Sequence, residues 1–175
     1  LRALVERAEA MERIKQFRFP WRKGNEFELL VDGNSFFPAM LSAIGEARRR
    51  VLLESYLFES GAVGDRFIRA LRECAGRQVG VYVFVDDFGA LGLGTADRRR
   101  LRDAGVHITY YNPLRYGRFK HNLFRNHRKL LAVDGEVAFV GGMGITDDFA
   151  PPTESSRLPW HENMLRISGP VVGDW

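Results

Sequence analysis

The sequence predicts an α/β fold, a sandwich of helices around one central mixed sheet. Three observations point there. Stretches with a helical apolar stripe alternate with short apolar runs of strand length. One run, "VGVYVFVDD" at 79–87, is almost continuously apolar, as expected of a strand covered on both faces. Two others, "RKLLAVDG" and "EVAFVGG", meet at Asp134-Gly135, a hairpin signal.

Taken in order, "LRALVERAEAMERI" carries apolar residues at 1, 4, 5, 8, 11 and 14, a helical stripe. Residues 1–24 thus form an N-terminal helical extension, and 25–175 one domain. "EFELLVDG" reads as a strand ended by Asp32-Gly33. "SFFPAMLSAIGEARRR" predicts a helix opened at Asn34 or Ser35, with Pro38 tolerated in its first turn. "VLLESYLFE" follows as a strand, "VGDRFIRALRECAGR" as a helix, then the apolar strand at 79–87. "TADRRRLRDAG" gives a helix with a glycine stop, and "VHITYY" a strand. After a basic loop come the hairpin, a Pro-rich loop at 150–159, the strand "NMLRISG" and "GPVVGDW", which reads as the start of another helix. The chain is therefore expected to continue.

Composition narrows the class. A chain of 175 residues that is 45% hydrophobic can bury one sizeable core. Its one cysteine, Cys74, excludes a disulfide framework and suits core packing in a helix. The N-terminus has charges throughout and is neither signal peptide nor membrane span. Zinc is not expected, because the four histidines show no ligand spacing.

Charge is uneven. With 26 Lys+Arg against 22 Asp+Glu the formal net charge is +4. "RRR" at 48–50 and at 98–100 sits at the end of, or within, helices and reads as solvated surface. "RYGRFKHNLFRNHRK" at 115–129 differs, with Arg115, Arg118, Lys120, Arg125, Arg128 and Lys129, no acid, and Tyr116, Phe119 and Phe124 interleaved. Such a stretch suits a polyanion, either nucleic acid phosphates or anionic lipid headgroups, and charge alone does not separate the two.

The basic loop ends in H-x-K-x-x-x-x-D: His127, Lys129 and Asp134. On a strand, residues two apart share a face, so an imidazole and an ammonium can converge on one phosphate. The lysine would neutralise oxyanion charge while the histidine attacks phosphorus or moves a proton. Gly141 and Gly142 on the returning strand would let a substrate approach the backbone.

This pattern resembles the phospholipase D superfamily, whose signature is H-x-K-x-x-x-x-D followed after six residues by Gly-Gly or Gly-Ser. The resemblance covers about 25–175 and is strongest toward the first half of bacterial cardiolipin synthases, both in "EFELLVDGNSFFPAMLSAIGEARRRVLLESYLFE" and in "WHENMLRISGPVVGDW". It implies a phospholipase D-like α/β/α sandwich and a phosphohistidine mechanism without a metal or other cofactor. His127 would be the nucleophile and Lys129 the phosphoryl-binding cation. Glu162 would hydrogen-bond the nucleophile's other ring nitrogen, the orienting role of a triad carboxylate. Asp134 shares this catalytic motif but lies at a turn several residues from His127, which gives it a supporting role. Gly141, Gly142, Arg115, Arg118 and Lys120 would bind substrate.

The pattern departs from the family at Gly144, where asparagine is common, and in having one motif where two are needed. The expected partners are an anionic phospholipid such as phosphatidylglycerol, a membrane surface, and a C-terminal half or second copy to complete the site. The expected location is peripheral, on the cytoplasmic face of a bacterial inner membrane. Nucleic acid is the less favoured substrate. Two alternatives stay open: a single-motif nuclease acting as a homodimer, and a non-catalytic module that binds anionic lipid.

Overall fold

The computed structural model describes residues 20–115, 117, 122–150 and 158–175. The expected helix at 1–14 lies outside them, as do Arg118 and Lys120.

Seven strands of the described residues form one mixed sheet, with three helices packed on one face. The strands are β1 (Glu26–Val31), β2 (Arg50–Ser55), β3 (Gly80–Asp86), β4 (His107–Tyr111), β5 (Leu130–Val133), β6 (Val137–Gly141) and β7 (Asn163–Ser168). Their spatial order is β1-β7-β6-β5-β2-β3-β4. β2, β3 and β4 run parallel, joined by crossover helices. β2–β5, β5–β6, β6–β7 and β7–β1 are antiparallel.

The helices are α1 (Asp32–Glu46), α2 (Ala62–Gly76), α3 (Thr95–Asp103) and α4 (Pro170–Asp174). Apolar spacing fixes which side of each is inside. α1 buries Phe36, Phe37, Met40 and Ile44, and α2 buries Val63, Phe67, Ile68, Leu71 and Cys74. These meet Val51, Leu53, Val81, Val83, Val85, Leu131 and Phe139 from alternate strand positions to make the main core. Cys74 is a core residue, and burial pushes its thiol above the usual range.

Among the described residues the opposite face carries only α4, whose Val172 packs on Ala132, Ala138 and Ile167. Phe27, Leu29, Val31, Leu52 and Tyr82 stay exposed there. Residues 20–25 are tied to α4. Arg22 makes a two-pronged ion pair with Asp174 at 2.7 and 2.8 Å, and the Val171 N–H donates to Asn25 Oδ1 at 3.0 Å.

Three boundaries differ from the sequence reading. α1 opens at Asp32, not at Asn34 or Ser35, because Asp32 adopts a left-handed φ of 62° and turns the chain directly out of β1. Pro38 then falls in the second turn, where the exposed Asn34 carbonyl lacks its helical donor. β2 ends at Ser55, and Phe58 leaves it for a bridge with Ile145. Arg48–Arg50 are not helical. α1 stops at Glu46, and the N–H groups of all three arginines turn to the Asp134 carboxylate.

Candidate active site

The antiparallel register brings five chain segments to one edge of the sheet. There β2 and β3 end, β5 begins, β6 ends and β7 begins, so Tyr56, Asp86, His127, Lys129, Gly141, Gly142 and Glu162 share that edge.

His127 and Lys129 converge, although on irregular chain just before β5 rather than within it. The His127 ring stacks on Tyr56, with centroids 3.9 Å apart and planes at 17°. Lys129 Nζ lies 5.5 Å from the centre of the same ring. His127 is exposed and Lys129 half-buried.

The segment carrying His127 is held from beneath by Asp86, a carboxylate buried at 1% exposure. Its oxygens accept from the Asn126 N–H at 2.8 Å and from Arg125 Nη1 at 3.1 Å. They also accept from the N–H groups of Phe88 and Gly89 in the turn after β3. Asn126 Nδ2 donates in turn to Glu54 at 2.5 Å. Arg125 is thus consumed in a buried ion pair, its side chain 10% exposed, and not available to a polyanion as the sequence suggested.

Gly142 is read from its neighbour. A Cβ at 142 would lie 2.6 Å from the Glu162 carboxyl carbon, so only glycine leaves that carboxylate its place. Glu162 also accepts from the Asn163 N–H at 2.8 Å. Among the described residues no hydrogen bond joins Glu162 to the His127 ring. Beside it, the Asp32 N–H donates to the Glu162 carbonyl at 2.8 Å, and the Asp32 carboxylate faces His161 Nδ1 at 3.1 Å. Position 144 is closed: a Cβ there would meet Leu57 Cβ at 2.7 Å, so no side chain reaches substrate from it without displacing Leu57.

Asp134 lies apart. It sits at the far end of β5, in a turn where both Asp134 (φ 57°) and Gly135 (φ 73°) are left-handed. Its carboxylate accepts the N–H groups of Arg48, Arg49 and Arg50, each at 2.8 Å. Partial burial raises its affinity for a proton, but the three N–H donors outweigh that and hold it below the usual carboxylate range. Its position ties α1 and β2 to the hairpin, at the opposite end of β5 from His127 and Lys129. Arg115 is exposed on the loop after β4.

A family model described as "Cardiolipin synthase, PLD-like domain" matches residues 40–170, which include His127, Lys129, the glycine pair and Glu162. The chain belongs to this phospholipase D-like family. It is similar to cardiolipin synthase B of Salmonella typhi, 34% identical over 160 residues, covering 88% of this chain and 37% of that protein. Against cardiolipin synthase A of Pseudomonas putida it is 34% identical over 157 residues, covering 89% of this chain and 32% of that one. The chain thus spans about a third of the length of these relatives. Among solved structures, the phospholipase D family member Nuc from Salmonella typhimurium shares the fold. Its TM-score is 0.64 at 18% identity, over 86% of this chain and 88% of that one.

Sequence reasoning missed Tyr56 and Asp86. Both sit at strand ends in apolar runs, where nothing in the local pattern tells a site residue from a core one. The available signal was that β2 and β3 both end toward the loop that carries the motif.

Proposed function

We propose that this chain supplies one half of a two-motif site that transfers phosphatidyl groups between anionic phospholipids, with phosphatidylglycerol as donor, as in cardiolipin synthesis. The observation that carries this reading is the convergence of His127 and Lys129 on one aromatic ring at a sheet edge in a chain of this family.

In the proposed reaction a ring nitrogen of His127 forms a bond to phosphorus as the bond from phosphorus to the leaving alkoxide breaks. Lys129 neutralises the phosphoryl oxygens, and Glu162 supports the imidazolium once substrate draws the ring toward it. An acid on the far side of phosphorus protonates the leaving alcohol. The same far-side group, now deprotonated, takes the proton of a second alcohol as its oxygen bonds to phosphorus and the phosphorus–nitrogen bond breaks, which restores the imidazole. Attack and departure are on opposite sides in an in-line displacement, so the acid must come from a second motif, in a C-terminal half or in a second copy of the chain. The apolar side chains exposed on either side of α4, Phe27, Leu29 and Val31 on β1 and Leu52 and Tyr82 on β2 and β3, are surface that such a half would cover. Residues 25–175 then act as one domain, with 1–24 as an extension.

The site opens toward a rim suited to a lipid surface. Leu114, Leu123 and Phe124 are exposed on the loop that carries Arg115, with Leu123 and Phe124 at 65% and 68%, and Phe88 and Leu91 are exposed after β3. These loops are joined: Asn112 Nδ2 donates to the Phe124 carbonyl at 2.8 Å, and the Leu114 N–H donates to Asp87 at 3.0 Å. Among the described residues no helix is long and apolar enough to cross a membrane. The reading is a peripheral enzyme on the cytoplasmic face of a bacterial inner membrane.

The test is to trap the adduct. With a slow phosphodiester lipid, the protein with its second motif present should carry acid-labile phosphate at His127, and His127→Ala should carry none. Labelling that persists in the alanine variant overturns the assignment. Rapid turnover of single-stranded DNA with no lipid adduct would favour the nuclease.

A further inference from the structure

Tyr56 touches both motif residues. The stack at 3.9 Å and 17° covers one face of the His127 imidazole, and the Lys129 ammonium lies 5.5 Å from the same ring centre. Imidazole lone pairs lie in the ring plane, so whatever fixes that plane fixes the direction in which the nitrogen can attack. An exposed histidine on irregular chain would otherwise rotate freely about its side-chain bonds.

The tyrosine is itself braced. It follows the last residue of β2, whose Glu54 pairs with Leu130 of β5, so the sheet register carries Tyr56 to the level of the motif. Gly89 lies behind it: a Cβ on residue 89 would fall 2.8 Å from the Tyr56 carbonyl carbon and 3.1 Å from ring Cδ2. The Gly89 turn and the segment before His127 are both held by the buried Asp86 carboxylate. One buried group thus sets the distance between the platform and the ring stacked on it. Both contacts are made to the ring of Tyr56.

We infer that Tyr56 is a positioning residue, whose aromatic face holds the plane of the His127 imidazole and the place of the Lys129 ammonium before substrate arrives. This rests on the proposed role of His127 as nucleophile. The ring, not the hydroxyl, does the holding.

The variants are Tyr56→Phe, which keeps the face, and Tyr56→Leu and Tyr56→Met, which remove it. Two readouts are needed. The first is the NMR shift of the His127 ring protons in the free protein, which a stacked ring moves upfield. Wild type and Tyr56→Phe should show that displacement, and the aliphatic variants should lose it. The second is the rate of adduct formation at saturating lipid. Misplacing a reacting group by about 1 Å costs on the order of 100-fold. Tyr56→Leu and Tyr56→Met should therefore slow adduct formation by tens-fold to about 100-fold, with KM and Tm little changed, and Tyr56→Phe should restore it.

Adduct formation in a folded aliphatic variant at the wild-type rate overturns the inference. So does a loss in Tyr56→Phe as large as in Tyr56→Leu, which would assign the work to the hydroxyl. If wild type forms no adduct, the nucleophile reading fails, and the ring-proton shifts alone decide the stack. Shifts unchanged in a folded aliphatic variant overturn it.

Discussion

Gly142 and Glu162 compete for one space: a Cβ on the glycine would lie 2.6 Å from the carboxyl carbon of the glutamate. The second glycine of the pair is therefore a seat for a carboxylate, beyond any role in admitting substrate. Gly142→Ala should push Glu162 aside and slow adduct formation as severely as Glu162→Gln does. The two changes combined should be no worse than either alone, because interacting sites are not additive. Rate constants for the three variants check this, and simple additivity would separate the residues.

Asp134 should govern stability and leave chemistry alone. Asp134→Ala strips three N–H groups of their acceptor, and a hydrogen bond to a charged group contributes about 1.5–3 kcal/mol. Because those bonds are to the backbone of exposed residues, the expected loss for the set is about 2–3 kcal/mol in urea unfolding at pH 7. The folded state holds this carboxylate below its unfolded value, so its contribution is full above the unfolded value of about 3.9 and fades as pH falls through the folded one. The gap between variant and wild type should therefore shrink in unfolding measured below pH 4. A gap that widens in acid would reverse the sign.

Asp86 and Arg125 form a buried pair, and removing one partner strands the other. Asp86→Ala should cost about 3–5 kcal/mol by leaving the guanidinium uncompensated. Asp86→Ala with Arg125→Met should recover much of that stability, yet still lose the His127 ring-proton displacement, because the Asn126 and Gly89 N–H groups no longer share an anchor. Denaturation curves and the His127 shift report the two effects separately.

The rim should bind anionic membranes. Each Lys or Arg near such a surface contributes about 1 kcal/mol, so neutralising Arg115, Arg118 and Lys120 together should weaken vesicle binding by about 100-fold. Leu123→Ser with Phe124→Ser should weaken it further without altering its salt dependence, since those residues contribute apolar area. Sedimentation with phosphatidylglycerol and with neutral vesicles checks this, and equal binding to both would refute it.

The sequence by itself determined the alternation of elements, the hairpin at Asp134-Gly135, the core place of Cys74 and the histidine–lysine pair, because each is written in neighbours a few residues apart. Only the tertiary structure decided what those residues meet. Tyr56 reaches His127 across 71 positions, Asp86 holds Asn126 across 40, and Asp134 accepts from Arg48 across 86. The physical reason is the sheet. Parallel and antiparallel pairings place β2, β3, β5, β6 and β7 side by side, so one edge gathers the ends of segments that no local period connects. The same register puts the motif's aspartate at the other end of β5 from its histidine, a separation that their spacing of seven positions conceals.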